Sequence, residues 1–244
     1  MNTGIQLATA VKGHAEPHEF VPHGHQVELD TGLAFVNTLE LERGQLVDRL
    51  DSYAAALRWF RDHDLLHADM LEAELNRDAA DPDGGERTLA RIRRVRAAMR
   101  ELTDAVVESR TPAQRDLDEI NRALRTHYTW YLVPAHDGVS LDHKHEGDPI
   151  AGALARLTES VASEVSEGHP EQLRICANED CRWVFSDSSR TSRRKWCDMA
   201  TCGNRAKVAR HREKKRAEEE AAVSGVSRTW KRLLTGARRG DTDG

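Results

Sequence analysis

Apolar residues recur at helical spacing through most of the first 170 positions. Leu46, Leu50, Tyr53, Leu57 and Phe60 form one such stripe, with Asp51 and Ser52 placed to cap a helix. A second helix is expected over residues 68–76, and Asp81-Pro-Asp-Gly-Gly85 reads as a break. Leu89, Ile92, Val95, Met99, Leu102 and Val106 then mark a long amphipathic helix rich in arginine. Thr111-Pro-Ala-Gln114 combines a capping box with proline at the first helical position and opens a helix toward Arg125. Residues 128–134 and 139–141 flank Asp137-Gly138, a hairpin turn signal. Asp148-Pro149 starts a helix that turns Ile150, Leu154, Leu157, Val161 and Val165 inward and stops at Gly168. No internal repeat is visible. The predicted class is α+β, mostly α: a helical N-terminal domain with a small antiparallel hairpin.

The period changes near residue 173. Trp183 and Phe185 alternate with polar residues as in a strand, Asp187 to Ser189 make a turn, and Lys195-Trp196 begins a return strand. A helix then runs through Asn204, Arg205, Lys207 and Arg210. All four cysteines fall in this stretch, as Cys176-x4-Cys181, a spacer of fifteen residues, and Cys197-x4-Cys202. Two close pairs on tight turns, joined by a spacer that folds back, are what four thiolates need to converge on one tetrahedral Zn²⁺. Two disulfides would be the competing use of four cysteines, and they suit a secreted chain. This one begins without a basic segment followed by an apolar core, so no signal peptide is expected. It also has no apolar run near the ~18 residues a membrane helix needs. A reducing cytoplasm and zinc are the consistent pair.

Knuckle, hairpin and second pair at a helix start make a treble-clef-like layout. Trp183, Phe185 and Trp196 are expected to supply the small apolar cluster over the metal, because so short a segment builds no core of its own. On that basis Cys197→Ser should unfold residues 173–216 and leave the helical domain intact.

Cys202-Gly203-Asn204-Arg205, with the upstream Cys-x4-Cys and the Trp196-Cys197 pair, resembles the CGNR zinc finger, which is named for this tetrapeptide. Proteins of that family usually carry an N-terminal ABATE domain, described as a stress-induced transcription regulator. The stretch Leu33-Ala-Phe-Val-Asn37-Thr38-Leu resembles the opening motif of that domain, although an acidic residue is commoner where Ala34 stands. The resemblance implies a bacterial DNA-binding regulator. The expected organisation is an ABATE-like sensor domain over residues 27–170, a zinc finger over 173–216 and a polar tail over 217–244.

Charge bears on the same question independently. The chain as a whole has 36 basic and 41 acidic residues. Residues 174–216 hold thirteen Lys or Arg against five Asp or Glu, whereas residues 1–173 hold eighteen against thirty-one. A Zn(Cys)4 centre, with four thiolates on one divalent ion, would offset only about two of the finger's excess charges. Basic charge is thus concentrated on the metal module, where each phosphate it neutralises would release a counterion. Arg193, Arg194 and Lys195 before the third ligand, and Asn204, Arg205, Lys207 and Arg210 after the fourth, are the candidate nucleic-acid residues. The plainer reading is a solvated basic helix, with Glu218, Glu219 and Glu220 pairing Lys214, Lys215 and Arg216 at i,i+4.

Enzymatic chemistry finds little footing. No nucleophile elbow, phosphate-binding glycine loop, His-Glu-x-x-His or dinucleotide fingerprint is present, so no catalytic residue is assigned. His14, His18, His23 and His25 cluster in a Pro/Gly-rich stretch and read as solvated rather than metal-bound; His143 and His145 flank Lys144. Asn37 and Thr38, polar in an apolar segment, are candidates for lining a small-molecule effector pocket, with hydrogen bonding inside the fold as the alternative. Two functions are consistent with these features: a zinc-finger DNA-binding transcription regulator, or an adaptor whose zinc module contacts RNA or a protein partner. An exposed platform of Trp183 and Trp196 would favour single strands.

Overall fold

The structure, a computed structural model, describes residues 27–42, 44–126, 128–135, 138–145 and 147–236. Asp137 and the histidines at 14, 18, 23 and 25 lie outside these residues. Seven α-helices and three two-stranded antiparallel sheets are formed among them. The order is α1 Leu29–Val36, β1 Leu39–Glu42, β2 Gln45–Asp48, α2 Tyr53–Asp62, α3 Ala68–Ala80, α4 Pro82–Val107, α5 Gln114–Leu124, β3 Tyr128–Ala135, β4 Gly138–His145 and α6 Pro149–Ser166. After these come β5 Leu173–Ile175, β6 Val184–Ser186 and α7 Asn204–Gly236. The expected class, mostly α with small antiparallel elements and a C-terminal cysteine module, is the one observed.

Helix α4, 26 residues long, is the axis of the domain and is contacted by α1, α2, α3, α5 and α6. Leu89, Ile92, Val95, Met99 and Leu102 are buried along one stripe, as their spacing predicts. They meet Phe35 of α1, Leu57 and Phe60 of α2, and Ile150, Leu154 and Leu157 of α6 in one core. Ser52 caps α2 by accepting from the amide of Ala55 at 3.2 Å, and Asp148 caps α6 by accepting from Ile150 at 2.9 Å.

Several boundaries differ from those expected. Leu46 and Leu50 do not extend α2: they belong to the β1–β2 hairpin and the turn after it, and Leu46 is exposed. Spacing of four residues fits a helix stripe, but in β2 it is two steps of alternation. The break at Asp81 is a single residue. Its carboxylate accepts from Gly84, and the two glycines lie in the first turn of α4, where Gly85 lets α4 pass close to Asp78. Helix α5 begins at Gln114 after Ala113, with no side-chain cap, so Thr111-Pro112 precedes the helix rather than opening it.

A row of arginines on α4 ties down the segment between α1 and α2. Arg93 donates to the carbonyl of Leu50 through Nε and Nη2, at 3.1 and 2.8 Å. Arg96 is buried and grips Asp48 in a fork at 2.6 and 2.8 Å, while also donating to Thr38 Oγ1 at 3.0 Å. Burial alone would raise the Asp48 carboxyl, but the Arg96 fork, the Leu50 amide and the Arg93 charge together hold it below its ordinary value.

The cysteine module is not a separate bead. Leu173 of β5 and Val184 of β6 are each 1% exposed and belong to the same core as the helices. Strand β5 packs against α4, and β6 against α1.

Candidate metal centre

Strands β5 and β6 pair antiparallel, Leu173 with Ser186, Arg174 with Phe185 and Ile175 with Val184. The first cysteine pair therefore stands in the turn of this hairpin. The expected partner of the Trp183–Phe185 strand was Lys195-Trp196 downstream; the actual partner is upstream. The Lys195 segment instead meets the knuckle through one bond, Ala177 N–H to the Lys195 carbonyl at 2.8 Å. Cys176 N–H donates to the carbonyl of Trp183 at 2.8 Å, and the amides of Cys181 and Arg182 both donate to Asn178 at 2.9 and 3.0 Å. Arg182 takes a left-handed backbone, φ 58°, to close the knuckle.

Of the second pair, Cys202 is presented by a π-turn, Met199–Gly203, leading into α7, and Cys197 stands just before that turn. Asp198 Oδ1 accepts from both the amide and the hydroxyl of Thr201, at 2.7 and 2.8 Å. Asn204 Nδ2 donates back to the carbonyl of Ala200 at 2.9 Å, across the junction of turn and helix.

These two devices bring the four sulfurs within 4.8 Å of one another. Cys181 Sγ is 3.7 Å from Cys197 Sγ, which is 3.8 Å from Cys202 Sγ. Four sulfurs about 2.3 Å from one tetrahedral ion are separated by about 3.8 Å, so the edges fit Zn²⁺. A disulfide needs about 2.05 Å, and all four thiols are free. Crowding acts unevenly on the ionisation of Cys181, Cys197 and Cys202. Burial pushes Cys181 up to about 11 and, together with the neighbouring sulfurs, drives Cys197 still higher. Cys202 is buried too, yet Asn178 Nδ2, 3.5 Å from its sulfur, and the other thiols bring it below its ordinary value. A divalent cation inverts this balance by stabilising every thiolate at once.

Phe185 and Trp196 pack on the cysteines, as expected, but Trp183 does not. Its indole Nε1 donates to Glu40 Oε2 at 2.9 Å, across to the β1–β2 hairpin. Here the amphipathic ring follows its polar atom away from the metal.

The remaining candidate residues divide into three groups. Arg193, Lys195, Asn204, Arg205, Lys207 and Arg210 are exposed, on the loop into Cys197 and the helix out of Cys202. Arg194 is employed by the finger itself: its guanidinium lies 5.0 Å over the Phe185 ring and donates to the Cys197 carbonyl at 2.6 Å. Asn37 and Thr38 are buried, with their polar atoms occupied inside the fold. Asn37 Nδ2 donates to the Val184 carbonyl at 2.8 Å, and Asn37 Oδ1 accepts from the Val184 amide at 2.9 Å. Thr38 Oγ1 donates to Phe35 at 2.7 Å and accepts from Arg96. Sequence reasoning missed Glu40, Arg100 and Asn178, charged or polar residues whose partners are distant in sequence or lie across the metal site. Lys214 and Lys215 pair weakly with Glu218 and Glu219, at 3.8 and 3.7 Å.

Among the described residues no helix is long and apolar enough to cross a membrane. A search of curated proteins finds no match. Residues 172–215 match the profile of the CGNR zinc finger, and residues 29–167, more than half the chain, match that of the ABATE family, described as "Putative stress-induced transcription regulator". Both are regulatory or zinc-finger families rather than enzyme families. The chain belongs to the ABATE family and carries a CGNR zinc finger after that domain.

Proposed function

We propose that this protein is a DNA-binding transcription regulator whose zinc-ordered finger contacts duplex DNA through the start of α7 and the loop before Cys197. The supporting observation is the placement of basic charge. Arg193, Lys195, Arg205, Lys207 and Arg210 are exposed on both sides of one metal centre, and among the described residues none of them has an acidic partner within ion-pair distance. Asn204, Arg205, Val208 and Arg212 border a shallow groove of about 520 Å³ on one face of the helix start. Val208 is exposed there between arginines, a combination suited to a thymine methyl flanked by phosphates or guanine edges. In this reading Arg193 and Lys195 hold phosphates, Arg205 reaches base edges, Asn204 holds the start of α7 through its bond to the Ala200 carbonyl, and Arg194 keeps the loop in place.

The adaptor alternative loses one of its supports. A single-strand binder stacks bases on exposed rings, but Trp196 packs on the cysteines, which leaves Trp183, exposed and with its indole N–H held by Glu40, without the second ring of the expected platform. The helical domain, acidic overall, would repel phosphate and limit binding to the finger. It would also be the part that senses a stress signal or small effector. Selection of bound fragments from random and genomic duplex DNA by the full-length, zinc-loaded protein tests the proposal. Enrichment of a sequence motif is the expected result, and recovery no better than with zinc-stripped protein would refute it.

A further inference from the structure

The three residues after ligand Cys181 are each held from the helical domain. Arg100 Nη2, itself paired with Asp104, donates to the Arg182 carbonyl at 2.9 Å. Glu40 accepts from the Trp183 indole at 2.9 Å. Asn37 binds both backbone groups of Val184, at 2.8 and 2.9 Å, as a neighbouring strand would. Among side chains only a carboxamide offers a neutral donor and acceptor side by side in this way. The Asn37 amide closes the end of α1 by donating to Leu33 at 3.0 Å, so its side chain is fixed by the helix terminus. On the other side, Cys176 N–H is bonded to the Trp183 carbonyl, so both knuckle ligands hang on the segment that Asn37 clasps. Arg182 holds a left-handed backbone that a non-glycine residue keeps only where its surroundings enforce it.

We propose that Asn37 is a positioning residue for the metal centre, and that through it zinc binding and the packing of α1 form one linked equilibrium. The clasp pre-sets the exit of the knuckle, so zinc binds a hairpin already held near its final geometry. Linkage then works in both directions: metal binding favours the clasped arrangement of α1, and whatever disturbs α1 weakens the metal site. A signal received by the helical domain would thereby reach the finger without touching it. This inference rests on the cysteine centre and its docking, not on DNA binding.

Two measurements on the full-length chain test it. Zinc affinity, by competition with a chromophoric chelator, should fall about tenfold or more in Asn37→Ala, in keeping with residues that orient metal ligands from behind. Amide exchange in wild-type α1 should be slower with zinc than after its removal. This second comparison needs no variant, so it decides the matter even if Asn37→Ala does not fold. A folded Asn37→Ala chain with zinc affinity within about twofold of wild type, or α1 exchange indifferent to zinc, overturns the proposal.

Discussion

Asn37 and Val184 stand 147 positions apart and hydrogen-bond to each other twice, amide to carbonyl in both directions. The helix end that opens the ABATE domain and the strand that leaves the zinc knuckle are thus joined as two strands would be. Because Leu173 and Val184 are also buried in the helical core, the expectation of a finger that unfolds alone does not suit this architecture.

Leu173→Ala should therefore destabilise the whole chain by about 3 kcal/mol, the usual cost of a buried leucine truncation. Urea unfolding followed by helical circular dichroism measures it. A helical transition that stays where it was, with only metal binding impaired, would show that the hairpin contributes nothing to the main core.

Asp48 predicts an acid response. Its folded-state carboxyl lies below the ordinary 3.8 through Arg96 and Arg93, despite burial. The stability it contributes is present above that ordinary value and is lost as the pH falls through the lower folded one. Asp48→Asn should cost about 3 kcal/mol at neutral pH by leaving Arg96 buried without its charge partner. The same variant should flatten the fall in stability below about pH 4. Equal acid sensitivity in the two proteins would remove Asp48 from the account.

The helices were legible because their stripes are long and their caps are local. Ser52 and Asp148 cap within three residues of themselves, and the α4 stripe runs for several turns. The metal site was legible for the same reason, since Cys176 and Cys181 share one hairpin turn and Cys197 stands just before the turn that carries Cys202. Short elements were harder: Leu46 fits a helix stripe and a strand equally well until its pairing with Leu41 is known. The clasp left only a trace, a buried Asn-Thr pair in an apolar run. Its partner is a backbone, and any residue at position 184 has one.

Gly32 tests the packing of α1 on α6. A Cβ there would lie 2.3 Å from Ser160 Oγ and 2.9 Å from Val161 Cγ2, with the Leu157 carbonyl at 3.3 Å. Gly32→Ala should destabilise the chain by about 1–3 kcal/mol, despite the better helix propensity of alanine. A thermal midpoint equal to or above that of the wild type would mean the two helices give way freely.

One zinc per chain should be measured by elemental analysis, and Cys176→Ser, Cys181→Ser, Cys197→Ser or Cys202→Ser should each abolish tight binding. Affinity should fall with falling pH, because each thiol must lose its proton to bind the metal. Retention of stoichiometric zinc by any of these four variants would break the four-sulfur assignment.

The salt dependence of duplex DNA binding by full-length, zinc-loaded protein is the most direct test of the functional reading. Affinity should fall steeply between about 50 and 200 mM salt, with a slope that Arg193→Ala and Lys195→Ala together reduce by about two units. Arg205→Ala should keep the zinc and the fold but relax sequence preference. A folded, zinc-loaded protein that binds no duplex in a salt-sensitive manner would contradict the account and leave a protein partner as the target of the finger.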